Sequence, residues 1–205
     1  PVVDYTLLQA TKNTQNLDYR AVAISREGIT IIPRGNDQFK VNDLVYVIAN
    51  QNGIKEMLEY SGKKNIDVNN LMILGGSRIA IHLATELERS MNVKLIEVDP
   101  EKSEKLAAQF KNALVINGDG RDTDLLMEEG LLYMDAFVAV TGNSETNILS
   151  CIIAKRMGVK KTIAEIENIN YIRLAESIGV DTVINKKLIT ASRIFRYTMS
   201  TDVST

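Results

Sequence analysis

The sequence is poor in the residues that carry most covalent and metal chemistry. It has one cysteine, Cys151, and one histidine, His82. A lone cysteine excludes an internal disulfide, which fits a reducing compartment. With a single residue of each type there is no Cys/His cluster to hold a metal. No apolar run approaches the roughly 18 residues of a membrane span, and no secretory signal peptide is visible. A formal net charge of −2 and a pI near 5.6 give no general attraction to nucleic acid or anionic lipid. Neither a nucleophile elbow nor a nucleophile–base pairing can be read, so no catalytic residue is assigned.

What is present is core material. Of 205 residues, 45% are hydrophobic, enough for one large domain or two small ones. The chain begins at Pro1 rather than methionine and stops shortly after a helical pattern, so a piece of a longer protein is expected.

Residues 1–62 read as a small β-rich α+β domain. Tyr5 to Thr11 is a short helix. Tyr19 to Ser25 is a strand, Arg26 to Gly28 a turn, and Ile29 to Ile32 the returning strand. Leu44 to Ala49 is a third strand, and Asn50 to Tyr60 a short helix. Sixty residues make a marginal core alone, so this domain is expected to dock on something. Residues 63–69 form a polar linker.

From residue 70 to 205, strands and helices alternate. Strands are expected at Leu71–Leu74, Val93–Val98, 112–117, Asp135–Val140, 161–166 and 181–184, each followed by a helix. Asp99 with Pro100, and Asp122 or Thr123, open two of those helices. Short connections between alternating elements predict an α/β fold, a Rossmann-like doubly wound parallel sheet. Ligands of such folds lie outside the carboxyl ends of the strands, where the loops at 75–78, 97–99, 117–121 and 141–144 fall.

The strongest local motif is Leu71-Met-Ile-Leu-Gly-Gly-Ser-Arg-Ile-Ala80. A buried strand runs into a glycine turn and then a helix, and Glu97 follows near the end of the next strand. That is the layout of a dinucleotide-binding βαβ unit. Gly75 permits the tight turn, and the helix beyond it offers free N–H groups and a positive dipole end to phosphate. Laid on G-x-G-x-x-G/A, the glycine positions are Gly75, Ser77 and Ala80, so the middle glycine is missing and a Cβ intrudes where the pyrophosphate would approach.

Each candidate has a plainer alternative. Glu97 can accept both hydroxyls of an adenosine ribose, which favours NAD or ATP over NADP; otherwise it is a solvated carboxylate. Asp119, in Gly-Asp-Gly, can meet adenine or ribose, or simply make an Asx turn. Arg78 can pair with phosphate or sit in solvent. Thr141 and Asn143 flank the fourth loop or cap the helix after it. His82 reads as a helix-surface or packing residue, and Cys151 as a small core residue. The helix from Glu145 to Met157 is apolar over more than one stripe, which means either deep burial or a subunit interface. The last helix is amphipathic through Leu188, Ala191, Phe195 and Met199.

Four segments, in order, resemble the nucleotide-binding domain of the regulator-of-K⁺-conductance (RCK) family. They are Leu-Gly-Gly-Ser-Arg-Ile-Ala80, Lys94-Leu-Ile-Glu-Val-Asp-Pro, Asn117-Gly-Asp-Gly-Arg-Asp and Val140-Thr-Gly-Asn-Ser-Glu-Thr-Asn. Arg20-Ala-Val-Ala-Ile-Ser-Arg-Glu-Gly, Ile32-Pro-Arg-Gly-Asn and Val41-Asn-Asp-Leu-Val-Tyr-Val-Ile-Ala resemble the small carboxy-terminal lobe of the same family. Members acting in bacterial potassium uptake carry this pair twice, so the order here implies a first small lobe followed by a second Rossmann domain.

The resemblance implies a non-catalytic cytoplasmic regulatory subunit, peripheral on the inner face of the membrane. It would bind NAD(H) or ATP/ADP, assemble as a homo-oligomer (dimer or tetramer), and gate a membrane-embedded potassium-translocating subunit, without touching nucleic acid or inserting into lipid. Carried over by position, Gly75, Gly76, Ser77, Arg78 and Ile79 would hold phosphates and Glu97 the ribose. Asp119 and Gly120 would meet the adenosine end, and Thr141 and Gly142 the rim. It also implies that the helix at 145–157 and its successor build the assembly interface and that the last helix crosses to a neighbour. Ser77 replaces the family glycine, and Glu165 stands where many members have arginine; both weaken affinity for a polyanion. An assembly scaffold with a non-binding Rossmann domain, and an NAD-dependent oxidoreductase, are the competing readings.

Overall fold

The computed structural model describes residues 19–26, 29–41, 43–50, 52–54, 57 and 67–199. The chain divides into two compact units, Pro1–Asn65 and Ile66–Thr205. The helix expected at 5–11, most of the helix expected at 50–60, and residues 63–66 of the polar linker lie outside the described residues.

In the first unit, alternating apolar residues make strands with two unlike faces. β1 (Tyr19–Arg26) lies between β2 (Ile29–Ile31) and β3 (Leu44–Ala49), antiparallel to both. Ile24, in register with Ile31 and Val45, is fully buried, while Leu44, Tyr46 and Ile48 on the other face of β3 are exposed. The register shifts between Ala21 and Ala23, a one-residue irregularity of the bulge kind. Arg26 forks onto the Asp43 carboxylate at 2.8 and 2.7 Å, and Lys40 N–H donates to the same group. The Arg26 hydrogen bond is the main reason that the Asp43 carboxyl falls to about 2.

The second unit is built on continuous apolar runs, the signature of strands covered on both faces. β4 (Asn70–Leu74), β5 (Asn92–Glu97), β6 (Leu114–Asn117), β7 (Ala136–Ala139), β8 (Lys161–Glu165) and β9 (Thr182–Ile184) form one parallel sheet in the order β6-β5-β4-β7-β8-β9. The order runs outward from β4 in one direction and from β7 in the other, the doubly wound arrangement of a Rossmann domain. Phe137, Met72 and Ile96 help fill one core layer, and Ile73, Leu95 and Val138 the other.

The helices start where the sequence supplies caps. Ser77 opens α1 (Arg78–Leu87), and Asp99 with Pro100 opens α2 (Pro100–Gln109). Asp122 opens α3 (Thr123–Glu128), and Asn143 opens α4 (Ser144–Arg156). A short 3₁₀ turn at Leu131–Tyr133 was not expected from periodicity, since three residues carry too little pattern. α5 (Asn170–Ser177) has no side-chain cap. In α6 (Lys186–Met199), the Leu188 N–H is taken by Asn185 Oδ1.

The amino edge of the sheet is tied by two aspartates. Asp135 accepts the N–H groups of Asn69 and Asn70 and the Lys160 ammonium. Asp181 accepts Thr162 N–H and Lys155. These pairs leave the carboxyl edge to the loops that follow β4, β5, β6 and β7.

Candidate nucleotide-binding site

At the carboxyl edge, where β4 and β7 lie side by side and the chain winds away in both directions, there is a cleft of about 360 Å³. Its wall contains Gly75, Gly76, Ser77, Glu97, Asp119, Gly120, Thr141 and Gly142. Four loops far apart in sequence thus converge. The wall does not include the side chains of Arg78 and Ile79: Arg78 is exposed, and Ile79 packs against the core beneath α1. Their first-turn N–H groups have no intrahelical acceptor and remain what the helix end offers a phosphate.

The glycine turn is shaped by two different demands. Gly75 has φ +92°, and a Cβ there would lie 2.8 Å from Thr141 Cγ2, so both backbone conformation and the β7 loop require glycine. At Gly76 the limit is proximity: a Cβ would stand 2.6 Å from Glu97 Oε2 and 2.6 Å from Leu106 Cδ1. Ser77 places its Oγ on the Ala80 N–H at 3.3 Å, so the residue at the middle glycine position serves as the α1 cap.

Glu97 is buried and well held. Gly76 N–H donates to Oε2 at 2.8 Å and Asp99 N–H to Oε1 at 3.1 Å, while Lys102 Nζ lies 2.6 Å from Oε2. Burial alone would push this carboxyl up; the Lys102 hydrogen bond and the two N–H groups together bring it below its usual value. Glu97 is therefore an anion at neutral pH, directed at the glycine turn.

Lys102 was not anticipated from the sequence. Its signal was there: it sits in the first turn of the helix opened by Asp99-Pro100, a turn that packs back on the strand end carrying Glu97. Arg121 was missed in the same way. It grips Asp119 through Nε at 3.0 Å and Nη2 at 2.6 Å, and its own N–H donates to Asp119 Oδ1. The guanidinium is the chief cause of the lowered Asp119 carboxyl. Asp119 thus makes the turn and also lines the cleft.

Gly120 is set by packing. A Cβ would lie 1.9 Å from Leu74 Cδ1, and its carbonyl accepts Ser150 Oγ at 3.1 Å. Gly142 is the opposite case, with nothing within 4 Å of a Cβ. Thr141 is clamped by Asn147 of α4, and Asn143 caps the same helix by accepting Thr146 N–H at 2.7 Å.

Glu165, the residue at the family's arginine position, lies outside the cleft wall. It is 2% exposed, paired through Oε1 with Lys186 at 2.5 Å, and its Oε2 has no hydrogen-bond partner among the described residues. His82 is exposed on α1. Cys151 is fully buried in the core.

α4 buries Asn147, Ile148, Ser150, Cys151 and Ala154 while leaving Leu149 exposed, so its apolar residues are divided between core and surface. α6 is different: Leu188, Ile189, Ile194, Phe195 and Tyr197 are all 45% exposed or more.

Known proteins share both the sequence pattern and this architecture. The TrkA-N domain family matches residues 71–186, and the TrkA-C domain family residues 1–62. The Trk system potassium uptake protein TrkA of Vibrio alginolyticus is 33% identical over 203 residues, which is 99% of this chain and 44% of the relative. The chain thus spans a little under half the length of that protein. A GsuK channel structure bound to NAD superposes with a TM-score of 0.64 at 15% identity, over 98% of this chain and 36% of that one. The AMP-bound Kef C-terminal domain of Shewanella denitrificans gives 0.56 at 15% identity, over 67% and 84%. At such identities the likeness concerns the fold. The matched segments, the strand order and the capped glycine turn together place the chain in the TrkA-N family, with a TrkA-C domain preceding its TrkA-N domain.

Proposed function

We propose that the chain is a nucleotide-binding regulatory module of a membrane potassium uptake system. The observation that carries this is the convergence of Gly75–Ser77, Glu97, Asp119 and Thr141 on one cleft at the switch point of the sheet. Its volume of about 360 Å³ lies within the range of small-molecule sites. The ligand is an adenine nucleotide, NAD(H) or ATP/ADP. Its phosphates meet the α1 N-terminus and its ribose meets Glu97. NAD in the GsuK channel and AMP in the Kef domain support an adenine nucleotide in this fold.

The link to potassium comes from the relative's name, Trk system potassium uptake protein. A regulatory module works by difference. The nucleotide binds one arrangement of the assembly better than another, and the gating equilibrium of a membrane-embedded partner shifts by that difference in affinity. The exposed apolar residues of α6 and Leu149 on α4 supply contact surface for a homo-oligomer. No helix among the described residues is long and apolar enough to cross a membrane.

A second reading has its own support. Every oxygen of Glu97 already accepts a hydrogen bond from this chain, and Ser77 spends its hydroxyl on α1. A scaffold that assembles without a nucleotide would look like this. Calorimetric titration with NADH, NAD⁺, ATP and ADP separates the two. The regulatory reading expects binding that Glu97→Ala and Gly75→Val abolish or weaken at least about tenfold. Heat-silent titrations, or affinity untouched by both variants, would leave the scaffold. Steady turnover of NADH with a small carbonyl substrate would point instead to an oxidoreductase.

A further inference from the structure

Glu97 does not face the cleft alone. The Lys102 ammonium stands 2.6 Å from its Oε2, on a side chain that is 45% exposed in the first turn of α2. An acid at the end of the second strand of a Rossmann unit accepts the ribose 2′-hydroxyl and repels a 2′-phosphate, whereas a cation beside it accommodates that phosphate. Here both are present, and their charges cancel.

We propose that Lys102 is a specificity-determining residue that lets the cleft accept adenine nucleotides carrying a 2′-phosphate, so that NADP(H)-type ligands bind alongside NAD(H). The proposal rests on reading the cleft as a nucleotide site. It removes the selectivity that Glu97 by itself implies.

The hydrogen-bond inventory of the carboxylate supports it. Oε2 already accepts Gly76 N–H and Lys102, and Oε1 accepts Asp99 N–H. A ribose using both oxygens therefore has to release Lys102 from Oε2. The two backbone N–H groups stay in place when that happens, so Glu97 keeps its position. The freed ammonium is a flexible point charge on a four-carbon stem, able to swing outward to a phosphate at the 2′ position. The N-terminus of α2 adds its positive dipole end at the same corner. The other cation of the wall, Arg121, is held on Asp119 in a different loop and does not substitute.

The test titrates the chain with two matched pairs: 5′-AMP against adenosine 2′,5′-bisphosphate, and NADH against NADPH. The expected result is NADPH affinity within about tenfold of NADH affinity. Lys102→Met should then weaken the 2′-phosphorylated member of each pair by about tenfold or more relative to its partner, and Lys102→Arg should restore it. Unchanged thermal melting of both variants would tie the effect to the site. Native discrimination against NADPH beyond about a hundredfold, or a ratio that Lys102→Met does not move, overturns the proposal. If no member of either pair binds, the nucleotide reading of the cleft fails and takes this inference with it.

Discussion

Asn147 holds Thr141 at three points. The Thr141 N–H and hydroxyl both donate to Asn147 Oδ1, at 3.0 and 2.6 Å, and Asn147 Nδ2 donates back to the Thr141 carbonyl at 3.1 Å. The same Nδ2 reaches the Glu165 carbonyl at 2.8 Å. One buried amide thus fixes the rim of the cleft to α4 and to the end of β8. Asn147→Ala leaves these groups without partners and is expected to cost about 3 kcal/mol of unfolding free energy. Urea denaturation measures it; a loss under about 1 kcal/mol would mean that water replaces the amide at little cost.

The glycines of the cleft should divide sharply. Gly120→Ala would drive a methyl to 1.9 Å from Leu74 Cδ1, in a core where Leu74 is 4% exposed. Overpacking of that kind costs about 1–3 kcal/mol. Gly142→Ala meets nothing within 4 Å and should change stability by less than about 0.5 kcal/mol. Paired chemical melts would read both, and equal losses would contradict the difference in packing.

Asp135 gives a pH signature. The Lys160 hydrogen bond, followed by the N–H groups of Asn69 and Asn70, lowers its carboxyl from 3.8 to about 2 in the folded chain. A depressed folded value stabilises fully above the unfolded value and loses that contribution as pH falls toward the folded one. The melting-temperature gap between the native chain and Asp135→Asn should therefore be constant above about pH 5 and close between about pH 4 and pH 2. A gap that persists at pH 2 would mean that Asp135 acts through packing.

Cys151 should be inert while the chain is folded. Burial, with the Asp181 charge adding to it, pushes its thiol up to about 12 despite the opposing Ala139 and Ile163 backbone groups. Only about 10⁻⁴ of it is thiolate at pH 8, so a thiol reagent should react on the timescale of unfolding. Rapid labelling without denaturant would contradict the buried position.

Much of this was legible in advance, for reasons that are local. Apolar runs at Leu71–Leu74 and 135–140, punctuated by Gly and Asp, mark strands and loops within a few residues of where they lie. The caps at Asp99, Asp122 and Asn143 depend on two or three neighbours. Because parallel strands all end at the same edge, the four loops of the cleft followed from the order of elements. The side-chain pairings did not. Lys102 beside Glu97, Arg121 on Asp119 and Gly120 under Leu74 depend on how separate elements meet in space. A residue that looks like a ligand by its loop can be there to fit a leucine.

The strand order has a temporal consequence. β4 and β7 are direct neighbours, yet Leu71 pairs with Ala136 across most of the sheet's own sequence. One wall of the cleft comes from the early strands and the other from the Thr141 loop. Closing so long a loop is a slow, entropically costly step. The pocket therefore cannot exist in a half-made domain: its two walls meet only when β7 joins β4, and a ligand held between them would act as a brake on unravelling at that seam.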